Sequence, residues 1–499
     1  MGYGQESRTA PIHHIEDVPD HWLKPAIFLA SAAALYIEMV MVRWHATCFH
    51  AFAIFKNVSL LSCFLGLGIG FGTARYRRMS LTSFLPLLAL QTVLFGALSC
   101  TNLGGRNINP IAEQLIMGKQ RESLQWLHAI EGNVFLAIVF VINAWTFIPL
   151  GNLVGRLMAR MDKVPAYSLN LLGSLTGIAV FFVLSLLWTG PEIWLGLAVL
   201  CIVPFLRAGR RFSAIAAGSL ALMLISLGVL SATNGLTYYS PYQVIALRMP
   251  EQERGREAPS IQVNHAYYQD ILDCSVNKKD ATARRRGAID YYNLPYTLQK
   301  NPGDVLVVGS GTGNDVAAAL RNGAATVTGV ELDPAILRIG KQLHPEQPYQ
   351  DPRTRAVVND ARTYLRHTDE SFDTIIYGLL DSHTNLGAMS NVRVDSFVYT
   401  LEGFQEALAR LKPEGMLIVS YTILDGHQGE RLYAMLRAAY PQQPPRAFLS
   451  PNSHDGGTTF VTGPGLAKLP TDVGDAREVT RIYQQVTTRA DLATDDWPF

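Results

Sequence analysis

The sequence predicts a chain of two parts, a membrane all-α bundle of about seven transmembrane helices followed by an α/β domain with a small antiparallel β cap. Three observations lead to this prediction. Hydrophobic residues make up 48% of the 499 residues, and the apolar excess lies before about residue 235. A glycine-rich turn directly follows an apolar, β-branched run at residues 305–308. From there, strand patterns alternate with helical patterns, which is typical of a mostly parallel sheet.

We expect four segments: a cytoplasmic N-terminal segment at residues 1–22, a transmembrane domain at 23–235, a β cap and linker at 236–300, and the α/β domain at 301–499. The net charge of +1 gives the whole chain no electrostatic footprint for nucleic acid, so no nucleic-acid partner is expected. The five cysteines show neither a CxxC pair nor a metal-ligand spacing, and no metal is expected.

Seven apolar runs precede residue 235, and most reach about 20 residues, enough to cross a hydrocarbon core of ~30 Å. Buried helices of a soluble protein rarely come seven in a row, so a multi-pass membrane domain is predicted. Arginines and lysines follow the second, fourth and sixth runs, which places these loops and the N-terminus in the cytoplasm. The runs cover residues 23–42, 51–74, 81–100, 134–153, 169–188, 193–206 and 212–230.

An odd number of full crossings would put the C-terminal domain on the opposite side of the membrane from the N-terminus. Two resolutions stay open: one run does not cross fully, the sixth being the shortest, or a further segment at residues 108–130 enters the membrane.

Glu38 lies inside the first apolar run, where an ionisable side chain is costly and is a functional candidate by default. The alternative is a structural ion pair with Arg43 or Lys56 that joins two helices. Glycines within the apolar runs predict close helix packing, at Gly66, Gly68, Gly70, Gly72, Gly173 and Gly177.

The strongest motif of the soluble half joins a glycine turn to a distant acid. Gly309, Gly311 and Gly313 follow the strand at residues 305–308, and the next apolar strand ends at Glu331. Glycines let the backbone turn sharply near a ligand, and an acid about 20 residues on can bind both ribose hydroxyls. This order predicts a Rossmann-like unit, although the glycines alone would also fit an ordinary tight turn. The third glycine comes two residues after the second, which favours nucleosides of the S-adenosylmethionine type over dinucleotides.

Polar or glycine residues stand at the ends of successive predicted strands: Gly309, Glu331, Asp360 and Asp381. Ligands of parallel α/β sheets bind at the carboxyl ends of the strands, so we expect these residues to converge on one site. Asp360 taken alone is equally well explained as a helix cap.

Several motifs of this half resemble the spermidine synthase family, the polyamine aminopropyltransferases, over roughly residues 240–421. They are SPYQ at residues 240–243, YNLPY at 292–296, VLVVGSGTGND at 305–315, GVELDP at 329–334, ND at 359–360 and LKPEGMLIVS at 411–420. The resemblance implies a class I methyltransferase fold. The apolar half is similar to membrane segments fused to such domains in some bacterial proteins.

The resemblance also implies roles for individual residues. Gln243 and Glu331 would hold the ribose and sulfonium side of the nucleoside, together with the glycine turn. Asp360 and Ala361 would bind adenine, and Asp381 would be the catalytic aspartate. The co-substrate would be decarboxylated S-adenosylmethionine or S-adenosylmethionine itself.

The sequence departs from the family at three places. Thr312 stands where the family usually has an acid, the catalytic loop reads DSHTN at residues 381–385, and Gly287 with Ala288 replaces an aromatic and polar pair. The lost acids weaken the expectation of putrescine as acceptor and leave room for ordinary S-adenosylmethionine. His383 could replace a lost base, or it could be a solvated loop histidine.

We therefore expect a membrane-bound transferase that moves an aminopropyl group to an amine acceptor, a polyamine or a membrane-delivered molecule, and releases methylthioadenosine. The first alternative is methyl transfer from, or cleavage of, S-adenosylmethionine. The second is a transporter or sensor whose soluble domain only binds nucleoside. Because the donor is made in the cytosol, we expect a multi-pass protein of the cell inner membrane with a cytoplasmic soluble domain, assembled as a homodimer. The acidic pair Asp495 and Asp496 would either line the pocket or dock the C-terminus.

Overall fold

The chain divides into two units, the first ending at Ala246 and the second running from Leu247 to Phe499. The structure is a computed structural model. It describes residues 18–49, 51–52, 56–77, 79–99, 125–206, 210–251, 257–379, 394–423, 426–450, 457–484 and 492–498.

The first unit is built from apolar helices, as its composition predicts. In the described residues they are α1 (Asp20–Cys48), α2 (Lys56–Thr73), α3 (Phe84–Ser99), α4 (Gln125–Met158), α5 (Lys163–Leu186), α6 (Pro191–Ile202) and α7 (Arg210–Asn234). Strand β1 (Leu236–Tyr239) follows, and strand β2 (Val244–Arg248) begins at the end of the unit.

Five described segments are helical, long and apolar enough to cross a membrane: Asp20–Cys48, Leu81–Ser99, Gly132–Met158, Lys163–Leu186 and Ser213–Ala232. The prediction of seven spans is therefore not confirmed. The other two helices, Asn57–Thr73 and Pro191–Phe205, are shorter.

The two short helices have local causes. The second apolar run starts at residue 51, but α2 begins only at Lys56. At 1.5 Å per residue, the 12 residues of α6 extend over about 18 Å, which is less than a hydrocarbon core. Left-handed backbone at Trp188, with φ of 58°, separates α6 from α5. The helix of the sixth run is thus too short for a full crossing, which agrees with the first explanation of the odd number of runs. The second explanation concerns residues 108–130, most of which lie outside the described residues.

Four of the six glycines do pack helices closely. A Cβ atom at Gly66 would collide with the carbonyl of Ala144 on α4, and one at Gly70 with that of Ile148. A Cβ atom at Gly173 or Gly177 on α5 would meet carbonyls of α1. Among the described residues, no atom lies within 4 Å of this position at Gly68 or Gly72, so the packing prediction is wrong for them.

Polar groups of α1 are buried in the first unit. Glu38 is 1% exposed, and His45 is within 2.9 Å of the Ser59 hydroxyl and 3.1 Å of the Gln91 side-chain oxygen. The Arg43 guanidinium donates to Ser185 at 3.1 Å and to backbone carbonyls near the start of β2. The side chain of Lys56 lies outside the described residues, so the role of Glu38 stays a prediction.

The second unit alternates strands and helices from residue 260 onward. Its strands are β3 (Ser260–Val263), β4 (Ala266–Asp270), β5 (Asp304–Val308), β6 (Thr326–Glu331), β7 (Thr354–Val358), β8 (Phe372–Tyr377), β9 (Leu411–Thr422), β10 (Arg446–Leu449), β11 (Gly457–Thr462) and β12 (Arg477–Glu478). Its helices are α8 (Ala283–Leu298), α9 (Asn314–Arg321), α10 (Pro334–Leu343), α11 (Ala361–His367), α12 (Leu401–Leu408), α13 (Gly426–Ala439) and α14 (Thr480–Gln484).

An eight-stranded sheet forms the core of this unit, in the order β12-β10-β11-β9-β8-β5-β6-β7. Strands β7, β6, β5, β8 and β9 run parallel, and β11, β10 and β12 extend the sheet antiparallel. The sheet is therefore mixed: it has the predicted α/β core, and β10 and β11 form an antiparallel hairpin beside it. Strands β3 and β4 pair antiparallel, as expected for the cap.

Helix α8 was not predicted, because its first turn lies in a basic stretch, a pattern that is typical of a solvated loop. Thr282 caps this helix by accepting a hydrogen bond from the Arg285 N–H.

Arg362 on α11 ties the C-terminal segment to the sheet domain. Its guanidinium donates to Glu406 at 2.5 Å and to both carboxylate oxygens of Asp495 at 2.9 Å. Thr400 donates to the same Asp495 at 2.8 Å. Asp495 therefore docks the C-terminus, which is one of the two roles left open by the sequence.

Replacing Arg362 with alanine should lower the thermal unfolding midpoint of the second unit. The change removes the buried partner of Glu406 and Asp495, which still pair with the exposed Arg366. We expect a loss of about 2–3 kcal/mol, which corresponds to a shift of roughly 5–10 °C. Circular dichroism or intrinsic fluorescence of the purified chain would measure it. Arg353→Ala is the matched control, because this arginine is 42% exposed and its ion pair is with nearby Asp351. Equal midpoints for the two variants would contradict the structural role of Arg362.

Candidate active site

The glycine turn between β5 and α9 adopts the backbone that only glycine accepts readily. Gly309, Gly311 and Gly313 have φ angles of 66°, 56° and 110°. The Ser310 N–H donates to the carbonyl of Val330 at 2.9 Å, so the turn is attached to the end of β6. The three predicted glycines thus shape one loop at the carboxyl ends of the central parallel strands.

Glu331 holds this loop from the end of β6. One carboxylate oxygen accepts from the Gly311 N–H and the other from the Asp333 N–H, both at 2.9 Å. The side chain is only 4% exposed, and burial raises the pKa of Glu331 to about 7. A carboxylate fixed in this way presents a defined edge to a ligand in the loop.

Two further side chains hold the loop from other elements. The Tyr349 hydroxyl donates to the Gly311 carbonyl at 2.8 Å. The Gln269 side-chain oxygen, on β4, accepts from the Thr312 N–H at 2.9 Å and from the Thr312 hydroxyl at 2.7 Å. Thr312, which stands where the family usually has an acid, is therefore buried, and its hydroxyl donates its hydrogen bond to Gln269.

Asp360 and Ala361 stand at the start of α11, after β7. The Asp360 carboxylate accepts from the Thr363 N–H at 2.8 Å, so it caps the helix. The preceding Asn359 N–H donates to the Glu331 carbonyl at 3.1 Å, which brings the start of α11 beside the end of β6. The structure places Glu331 and Asp360 at neighbouring strand ends, and the adenine-binding role of Asp360 and Ala361 stays a prediction.

Three predicted site residues cannot be located relative to this loop. Asp381 and His383 lie outside the described residues, in the segment that follows β8. Gln243 belongs to the first unit, where its backbone forms a turn with Ser240. Within the described part of the chain, no three His, Cys, Asp or Glu side chains are grouped so that they could hold a metal ion.

Sequence reasoning missed Asp315, a second buried acid at the same sheet edge. It occupies the first turn of α9, is 8% exposed, and burial raises its pKa to about 7. A Cβ atom on Gly378, just after β8, would lie 2.8 Å from one Asp315 carboxylate oxygen. The one signal in the sequence was an acid directly after the glycine motif, which usually means no more than a favourable charge at a helix N-terminus.

The parallel strand order, the glycine loop and the acid at the end of β6 are typical of a Rossmann-like domain. Residues 290–463 match the Spermine/spermidine synthase domain. Over these residues the chain is therefore spermidine synthase-like, with a class I methyltransferase-like fold, as the motifs predicted.

Curated relatives agree with this family. The chain is 31% identical over 126 residues to a polyamine aminopropyltransferase of Korarchaeum cryptofilum, which is 25% of this chain and 36% of the relative. It is 24% identical over 195 residues to a polyamine aminopropyltransferase of Thermoanaerobacter sp., covering 38% of this chain and 66% of the relative. The chain thus spans about a third of the length of the first relative and just under two thirds of the length of the second.

Solved spermidine synthases resemble the chain weakly as whole structures. The crystal structure of the enzyme from Thermotoga maritima superposes with a TM-score of 0.36 and 16% identity, over 53% of this chain and 81% of that chain. A TM-score this low supports no conclusion about the site.

Gly311→Ala should weaken nucleoside binding about tenfold or more. The new Cβ would lie 2.7 Å from the Gln269 side-chain oxygen, at a position with φ of 56°. Calorimetry with methylthioadenosine would measure the affinity. Gly323→Ala is the control, because Gly323 also has a positive φ of 84° but no atom near its Cβ position. A similar affinity loss in both variants would refute the contact with Gln269 as the cause.

Glu331 should make the protein less stable as the pH rises from about 4.5 to about 7. In this window the unfolded chain has released the proton while the native state still holds it, so the free energy of unfolding falls. Above about pH 7 this contribution is constant. Thermal midpoints at pH 5 to 8 should therefore fall less in Glu331→Gln than in the parent protein. The exposed Glu414→Gln should keep the parent slope, and an unchanged slope in Glu331→Gln would contradict the perturbed titration.

Proposed function

We propose that the second unit transfers an aminopropyl group from a decarboxylated S-adenosylmethionine-type donor to an amine acceptor and releases methylthioadenosine. The observation that supports this best is the hydrogen bond from the Gly311 N–H to the Glu331 carboxylate, at 2.9 Å. It joins the loop after β5 to the end of the neighbouring parallel strand β6. An adenosine moiety has two ribose hydroxyls for such an acid and needs no phosphate-binding helix. The named relatives are polyamine aminopropyltransferases, which favours this transfer among reactions of sulfonium nucleosides.

The reaction requires little from the protein beyond alignment and removal of one proton. The lone pair of a neutral amine nitrogen forms a bond to the chain carbon next to the sulfonium, and the bonding pair of the C–S bond moves to sulfur. Neutral thioether leaves without acid catalysis. The ammonium form of the acceptor must lose a proton, and we assign that step to the Asp381 carboxylate, with His383 as the alternative base.

We also propose that the first unit anchors this enzyme in the cell membrane, with the catalytic unit in the cytoplasm where the donor is made. The five long apolar helices support the anchoring. An acceptor delivered from the bilayer is compatible with this arrangement, and so is a soluble polyamine. A homodimer remains part of the proposal.

Product analysis tests the reaction directly. Purified full-length protein is incubated with S-adenosylmethionine or its decarboxylated form and a panel of amines, and the nucleoside product is identified by mass spectrometry. Methylthioadenosine together with an aminopropylated amine is expected. S-adenosylhomocysteine would instead indicate methyl transfer, and methylthioadenosine without a modified amine would indicate cleavage of the donor.

Asp381→Asn should lower the turnover number about 100-fold or more, since the isosteric amide cannot accept the proton of the acceptor. Nucleoside affinity, measured by calorimetry with methylthioadenosine, should stay within about twofold. The exposed Asp369→Asn serves as a control and should leave both quantities unchanged. Full turnover in Asp381→Asn would remove this residue from the mechanism.

A further inference from the structure

Asp315 is an acid placed where an unpaired charge is expensive. Its side chain is 8% exposed, and none of the described lysines or arginines forms an ion pair with it. Arg321, one helical turn and more along α9, pairs instead with Glu346 at 2.5 Å. An ionised carboxylate in such surroundings needs a cationic partner, and the described residues supply none.

Tyrosines of α8 lie beside the start of α9. Tyr296 is buried, Tyr291 and Tyr292 are half-buried, and burial together with the nearby Asp315 charge raises the pKa of all three hydroxyl groups. The Tyr291 and Tyr292 rings meet edge to face, with centroids 5.1 Å apart. Asn314, beside Asp315, donates to the Tyr292 hydroxyl at 2.9 Å and fixes that ring. We call these three tyrosines with Asp315 the tyrosine–aspartate cluster.

One member of the cluster has a hydroxyl that the fold does not fully satisfy. The Tyr291 hydroxyl is buried beside the Ser420 side chain, at the carboxyl end of β9, and within the described residues it has no hydrogen bond of full donor and acceptor geometry. Tyr296, by contrast, points its hydroxyl at the Asp315 backbone carbonyl, 3.5 Å away. A buried hydroxyl without a full hydrogen bond and a buried carboxylate without an ion-pair partner among the described residues occur together, which a purely structural cluster would avoid.

The cluster also lies beside the glycine loop and the end of β8. A Cβ atom added to Gly378, directly after β8, would be 2.8 Å from an Asp315 carboxylate oxygen. Its helix begins where the glycine loop ends, and Glu331 holds that loop from the neighbouring strand. Aromatic rings and a carboxylate together recognise an ammonium group by cation–π attraction and charge-assisted hydrogen bonding.

We propose that the tyrosine–aspartate cluster binds an ammonium group of the substrate and that Asp315 makes the enzyme select a charged amine over a neutral isostere. This inference rests on the proposed function. The ammonium group belongs either to the aminopropyl chain of the donor or to the distal end of the acceptor. Both have the same chemistry, and kinetics separate them.

The test compares binding and turnover in Asp315→Asn, which keeps the shape and removes the charge. Steady-state kinetics are measured with the donor and the acceptor varied separately. We expect KM to rise about tenfold or more for one of the two, with a smaller change in kcat. A rise confined to the donor assigns the cluster to the aminopropyl amine, and a rise confined to the acceptor assigns it to the acceptor's second amine.

Binding measurements keep the inference separate from the reaction. Methylthioadenosine carries no ammonium group, so Asp315→Asn should bind it as the parent does, whereas its affinity for the ammonium-bearing substrate should fall about tenfold or more. Retained methylthioadenosine binding also shows that the variant is folded. Equal affinity of parent and variant for every ligand, in a parent that turns over, would overturn the inference and leave the proposed function standing. A parent protein that binds no sulfonium nucleoside and no methylthioadenosine would overturn the proposed function itself.

Tyrosine variants provide a second arm. Tyr291→Leu removes the ring and should raise the same KM that Asp315→Asn raises, whereas Tyr291→Phe keeps the ring and should have the smaller effect. Asp280→Asn, an exposed acid, should change neither KM. If Tyr291→Leu and Asp315→Asn raised the KM of different substrates, the two residues would not form one ammonium site and the inference would fail.

Discussion

The hydrogen bond between the Gly311 N–H and the Glu331 carboxylate is the constraint on which the site depends. It joins the loop after β5 to the end of β6 through a buried acid, and the second oxygen of that acid is held by Asp333. The bond can form only because glycine adopts a φ of 56° at position 311, which aims its N–H at the acid. Tyr349 and Gln269 then form further hydrogen bonds to this loop, whose shape the Gly311–Glu331 bond has already determined.

The two buried acids of the site differ in the way that matters for chemistry. Glu331 receives backbone donors on both oxygens, so it can hold a charge when a ligand approaches and serves as a fixed recognition element. Asp315 forms no ion pair with a cation of the described residues, although burial raises the pKa of both acids to about 7. Under the proposed function, Glu331 is the fixed acid for the neutral nucleoside, and Asp315 is the acid that a charged chain would ionise.

Short-range patterns carried most of the fold prediction for the second unit. Helix α10 (Pro334–Leu343) and strand β8 (Phe372–Tyr377) illustrate this, because a capping Asp333 and a β-branched apolar run determine them locally. In the first unit, an apolar run did not equal a helix of the same length, since composition does not show where the backbone breaks. The glycines show the same limit. Gly66 and Gly70 share one helix face toward α4, while Gly68 and Gly72, two residues out of phase, face away from it.

The site was predictable as far as neighbours in sequence determine it. The glycine turn and Glu331 follow from strand, turn and strand in order, and the structure brings them together. Thr312 looked like a simple loss of an acid, yet its hydroxyl is satisfied by Gln269, which lies 43 residues earlier. Arg362 likewise depends on Asp495, 133 residues later. Such long-range pairs produce no periodic pattern and no motif in the sequence. The structural effect of a substitution in this loop therefore depends on partners that become neighbours only in the folded chain. Asp315 acquires its significance in the same way, from a helix α8 whose existence the sequence did not reveal.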